Sequence, residues 1–118
     1  MKHNKSYSRS AKVASEIKKV VSDFLIRGEF GRYEGINPLM IVVTDVVISS
    51  CLQHAKIFVS SIDRKSADDY VEFLEAHSAQ IRKAVGDNVK LKFVPELRFI
   101  VDNSFEEAQK IESLLKKL

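Results

Sequence analysis

Cys51 and His54 are separated by two residues. At that spacing a thiolate and an imidazole can share a metal ion, or the imidazole can activate the thiol. Either chemistry needs more than this pair. A structural metal needs further ligands, and His3 and His77 have no partner at ligand spacing. A nucleophile needs an oxyanion stabiliser and a third group to orient the base, and the chain contains no G-x-S-x-G element. Asp68 and Asp69 are adjacent carboxylates at the start of a helical pattern. There they suit the positive end of a helix dipole better than acid–base work. His77 falls on the apolar stripe of the same pattern, which fits a core histidine with one hydrogen bond. Neither G-x-x-x-x-G-K-[ST] nor G-x-G-x-x-G occurs. The residues predict no metal, no cofactor and no catalytic centre.

The signal that accumulates is basic. Lys12, Lys18 and Lys19 lie in the first helical pattern, Arg82 and Lys83 near the end of the middle one, and Lys90, Lys92 and Arg98 in the stretch that follows. The formal net charge is +3, unevenly spread. Residues 1–32 hold eight Lys/Arg against three Asp/Glu, and residues 33–118 hold eleven against thirteen. A cationic amino end suits a polyanion, and cations on neighbouring elements would give phosphate contacts that supply affinity with little sequence choice.

These residues must be positioned by a small set of elements. Residues 1–8 lack periodicity and read as a mobile basic arm, leaving 9–118 as one domain. Val13, Ile17, Val20, Val21, Phe24 and Leu25 recur at helical spacing from Arg9 onward, with Gly28 as a stop. A glycine-rich loop with Phe30 and Tyr33 follows. Leu39–Ser49 and Ala55–Ile62 are rich in β-branched residues, and their short connection predicts an antiparallel hairpin. Tyr70, Phe73, Leu74, His77, Ile81 and Val85 form a second helical stripe, begun by Ser66 with Asp69 and ended at Gly86. Within it "AHSAQIR" holds neither Gly nor Pro, so propensity alone predicts an unbroken helix.

In "KLKFVPELRFIVDNS" the odd positions Leu91, Phe93, Pro95, Leu97, Phe99 and Val101 are all apolar. That alternation predicts one strand with Leu91, Phe93, Leu97 and Phe99 buried together and Lys90, Lys92 and Arg98 on the wet face. Pro95 would mark a bulge or a sheet edge. Ser104 with Glu107 predicts a capping box for a last helix, whose stripe is Ala108, Ile111, Leu115 and Leu118. The sum is an α+β domain, a three-stranded sheet with helices on one face. With 118 residues, one cysteine and no apolar run long enough to span a membrane, the chain reads as a monomeric, soluble, cytoplasmic protein without disulfides.

Three blocks carry a resemblance. "VPELRFIVDNSFEEAQKIESLL" resembles the carboxy-terminal signature of bacterial ribosome-binding factor A. "NPLMIVVTDVVISSCLQHAKIFVS" resembles that family's hairpin, and "SRSAKVASEIKKVVSDFL" its opening helix. The resemblance implies a KH domain of type II topology. It implies an assembly factor for the immature small ribosomal subunit that aids late rRNA maturation, 5′-end processing above all, with a bearing on growth in the cold. It implies a middle helix interrupted at an Ala-x-Gly motif, which falls here on His77, Ser78 and Ala79. It places His77, Ser78, Arg82 and Lys83 near the nucleic-acid backbone, with Lys12, Lys18, Lys19, Lys90, Lys92 and Arg98 adding to the field. The hairpin lacks family-typical charges, since Asn37-Pro38-Leu39 stands where the family tends to show Asp-Pro-Arg and Ser50-Cys51 where it shows an Asp after the serine. The alternatives are a generic RNA-binding module, KH-type if the resemblance extends to the fold alone, or a small ribosomal protein, and beyond those a protein–protein adaptor.

Overall fold

A computed structural model describes residues 5–27, 30, 35–62 and 67–118. In chain order the elements are α1 (Lys5–Arg27), a 3₁₀ turn at Pro38–Met40, β1 (Ile41–Ile48), β2 (His54–Ser61), α2 (Ala67–Ala76), α3 (Ser78–Asn88), β3 (Glu96–Val101) and α4 (Ser104–Lys116). Helix α1 begins four residues before the point where the apolar pattern starts. Tyr33 and the stop and cap expected at Gly28 and Ser66 lie outside the described residues.

The sheet order is β1-β2-β3, with β2 antiparallel to β1 and parallel to β3. With helices α1, α2 and α3 against one face, this is the type II KH arrangement. The core follows directly from periodicity. Val13, Ile17, Val21 and Leu25 of α1 repeat every four residues and are all buried. Ile41, Val43, Val46 and Ile48 of β1 and Ala55, Ile57 and Val59 of β2 turn the same way. Strict alternation in β1 would put Asp45 on the core side. A bulge between Val43 and Asp45 shifts the register and turns Asp45 outward.

The bulge is thus in β1, and the third strand corrects the sequence reading. Strand β3 begins only at Glu96, so Lys90 and Lys92 are not on it. Pro95 precedes the strand and is fully buried, where its missing N–H costs no ladder bond. Phe99 is buried as expected, but Leu91 and Leu97 are half-buried and Phe93 is 68% exposed. The alternation breaks at Val94, which turns inward against α3. A Cβ on Gly86 would meet Val94 Cγ2 at 2.9 Å, so that glycine lets the segment approach. Gly86 therefore sits inside α3, which runs on to Asn88, rather than ending it.

The last helix is also corrected. Its N-cap position is Asn103, with no side-chain bond. Asp102 does the capping: its Oδ1 accepts from the Ser104 backbone N–H at 2.9 Å and from the Ser104 hydroxyl at 2.6 Å. The Thr44 hydroxyl of β1 donates to the other oxygen of Asp102, tying the bulge to the turn after β3. Beyond that turn the apolar stripe of α4 finds no cover: Ile111, Leu114, Leu115 and Leu118 are all exposed.

The Ser104 hydroxyl, the Thr44 hydroxyl and the Ser104 N–H hold the Asp102 carboxyl below its ordinary range. A carboxyl depressed in the folded state contributes its stability fully above the unfolded value of about 4 and loses it as pH falls through the folded value. The stability gap between the unaltered chain and Asp102→Asn is therefore expected to hold steady around neutrality and to shrink as pH drops below about 4. Urea unfolding at a series of pH values measures it, and a pH-independent gap would contradict the account.

Candidate nucleic-acid interface

The break between α2 and α3 falls at His77, as the family resemblance implies and against helix propensity. The imidazole Nδ1 donates to the Phe73 carbonyl at 2.9 Å. The backbone N–H of His77 is shared between the Phe73 and Leu74 carbonyls, at 3.2 and 3.1 Å. Side chain and backbone thus draw on one acceptor, and His77 takes φ −105° and ψ 13°. The ring is wedged between aromatics, with centroids 4.8 Å from Phe30 and 4.6 Å from Phe73. Phe30 in turn meets Phe24 edge-on at 4.8 Å. His77 is thereby turned toward the interior, where it fixes the break and is poorly placed for phosphate. Ser78 beside it is half-buried at the first position of α3.

The predicted cations do not form one face. Lys12 and Lys19 are seven apart and share a flank of α1. Asp23 and Arg27, on that side, line a cleft with Ala84 and Asn88 of α3, so the flank turns toward α3. Lys18 lies on the other flank and donates to the Thr44 carbonyl at 3.2 Å, covering the bulge. Lys83 is exposed but paired with Asp87 at 2.9 Å, an i,i+4 contact that raises its pKa. Arg82 is committed to structure. Its guanidinium donates to the Pro95 carbonyl at 3.3 Å and the Val94 carbonyl at 3.1 Å, holding α3 to the entry of β3.

Lys90 and Lys92 are exposed in the segment leading to β3. Arg98 points away from the helices, because its neighbours Leu97 and Phe99 face them. Opposite it in the register is Lys56 of β2, also exposed. Two like charges side by side on a strand pair repel unless a partner screens them. Sequence reasoning missed Lys56, because a lone lysine in a strand reads as ordinary surface. Only the register sets it beside Arg98.

The groove between α2 and β3 has the opposite sign. Asp68, Glu72 and Glu75 line it together with Val71, Phe99, Ile100 and Val101, around a volume of about 420 Å³. Phosphate would be repelled there, so the cations on α1, around residues 90–92 and on the open sheet face are the surfaces left for a polyanion.

The Cys51–His54 pair does not converge. The Cys51 Sγ lies 3.4 Å from the Ser49 hydroxyl. That contact and the Gln53 backbone N–H hold the exposed thiol below its ordinary range. His54 instead lies 3.8 Å from the Glu96 carboxylate, across the β2–β3 pair. Among the described residues no three His, Cys, Asp or Glu side chains gather as a metal site. No helix there is long and apolar enough to cross a membrane.

A family model described as ribosome-binding factor A matches residues 9–115. The chain is 38% identical over 111 residues to the ribosome-binding factor A of Halothermothrix orenii, an alignment covering 93% of this chain and 88% of the relative. Its fold is similar to the crystal structure of ribosome-binding factor A from Thermus thermophilus, with TM-score 0.65, 15% identity and coverage of 78% of this chain and 94% of that one. It is also similar to Thermus thermophilus ribosome binding factor A coordinates fitted into a cryo-electron-microscopy map of a 30S complex, with TM-score 0.57, 12% identity and coverage of 80% and 92%.

Proposed function

The chain belongs to the ribosome-binding factor A family, and on that premise we propose that it binds the immature small ribosomal subunit through its rRNA. It acts as a cytoplasmic monomer by binding rather than by catalysis. It assists late maturation, including processing of the rRNA 5′ end, and then leaves; the need is greatest in the cold. The observation that carries this reading is the family match, which spans almost the whole folded chain. The Thermus relative fitted into a 30S complex supports the choice of particle. The charge layout supports a phosphate partner, with cations exposed on α1 and before β3, and carboxylates lining the α2–β3 groove.

Depletion of the protein in its own cells tests this. Small-subunit rRNA with an unprocessed 5′ end is expected to accumulate, more at low temperature, as read by primer extension. In gradient fractions the protein is expected on small-subunit precursors and not on mature ribosomes. Retention on mature small subunits, with normal 5′ ends after depletion, would point to a resident ribosomal protein and against an assembly factor.

A further inference from the structure

We propose that the cleft between the start of α1, the β1–β2 turn and residues 91–93 holds one unpaired RNA base, with Phe93 as its stacking surface. The inference rests on the RNA-binding reading above and adds a contact that reading does not contain.

Phe93 is 68% exposed. Among residues whose side chains are described, no other aromatic is exposed. It borders a cleft of about 290 Å³ shared with Arg9, Ser50, Gln53, Leu91 and Lys92. That volume is at the small end of ligand pockets, which begin at roughly 300 Å³, and so suits a single ring system. The lining chemistry favours RNA over an apolar protein side chain. It includes two cations, Arg9 and Lys92, and no carboxylate. The Lys92 amine lies over the Phe93 ring, 5.8 Å from its centroid, so a stacked base would take either the opposite face or the place of this flexible side chain, whose charge stays within reach of the backbone phosphate. The Ser50 hydroxyl and the Gln53 amide supply donors and acceptors for a base edge.

The walls of the cleft are built rather than loose. Leu52 takes φ 61°, a left-handed conformation that a leucine adopts only when its surroundings enforce it. Its backbone N–H bonds to the Ser49 carbonyl at 2.9 Å, and its side chain packs on the core. The turn is thereby fixed with Ser50 and Gln53 at the rim. On the other side, Val94 against α3 and the two Arg82 bonds hold the chain just after Phe93. A rigid frame around one exposed ring is what a stacking platform requires.

The chain contains no tryptophan, so Phe93→Trp places a single reporter at the site. The full chain carrying it is titrated with a single-stranded adenosine oligoribonucleotide, an abasic strand with the same number of phosphates, and duplex RNA. The single strand is expected to quench the emission, and the abasic strand and duplex to leave it nearly unchanged. Phe93→Ala is expected to weaken single-strand and precursor-subunit binding about tenfold, with the salt slope and the unfolding midpoint unaltered. Equal quenching by the abasic strand, or Phe93→Ala binding as tightly as the unaltered chain, would overturn the base pocket while leaving RNA binding in place. An unaltered chain that binds neither RNA nor precursor subunits overturns both readings.

Discussion

Phe73→Ala is expected to lower the unfolding free energy by about 3–5 kcal/mol in urea denaturation. Phe73 is fully buried, and its ring lies 5.0 Å from Phe30 and 4.6 Å from His77. Its carbonyl accepts from both the ring and the backbone of His77. Truncation leaves a cavity where the loop aromatic, the end of α2 and the start of α3 meet. The cost therefore includes both lost transfer energy and unfilled space. His77 would lose its aromatic neighbour but keep its carbonyl, so the break is expected to persist as local amide connectivities. Phe30→Ala should cost less, because Phe30 is only half-buried. A loss below about 1 kcal/mol for Phe73→Ala would mean that the aromatic cluster does not anchor the junction.

The second large effect concerns binding. Lys12→Glu with Lys19→Glu is expected to weaken binding to precursor small subunits on the order of 50-fold at about 0.1 M salt, and to reduce the slope of log affinity against log salt by about one to two units. Both side chains are exposed on the α1 flank that turns toward α3. Lys56→Glu with Arg98→Glu makes the same charge change on the open sheet face and is expected to cost less than about threefold. Reversal of that ranking, measured by filter binding, would put the RNA on the sheet face instead. Arg82→Glu is a poor probe of phosphate contact, since it breaks the bonds to the Val94 and Pro95 carbonyls and disturbs the entry to β3.

Much of the fold is legible in local periodicity. The α1 stripe and the antiparallel β1–β2 hairpin need only spacing and β-branched content, although Leu39 and Met40 fall in the 3₁₀ turn before β1 and the bulge after Val43 is not legible. The third strand misleads for a physical reason. Its alternation runs through Pro95 in the sequence, but the proline ends one segment and precedes another, and Val94 changes the parity between them. What is not legible depends on distant partners. The ring of His77 at the break packs against Phe30, 47 positions earlier in the sequence. Arg82 reads as a free cation until the fold brings the 94–95 carbonyls beneath it. Asp102 reads as a turn residue until Thr44 reaches it from β1. The family resemblance supplies the interruption that propensity cannot. It does not reveal the acidic groove, because spacing sets Asp68, Glu72 and Glu75 on one face of α2 but only the fold lays that face along β3.

In the function proposed above, this chain recognises the unfinished small ribosomal subunit by its rRNA. The most direct test of that recognition is co-sedimentation of the purified protein with small-subunit precursors, mature small subunits and large subunits over a range of salt. Stoichiometric association with the precursor is expected, with weaker association with the mature small subunit and none with the large one. Log affinity for the precursor is expected to fall linearly with log salt. Equal affinity for all three particles, or a precursor affinity indifferent to salt, would contradict the proposed function.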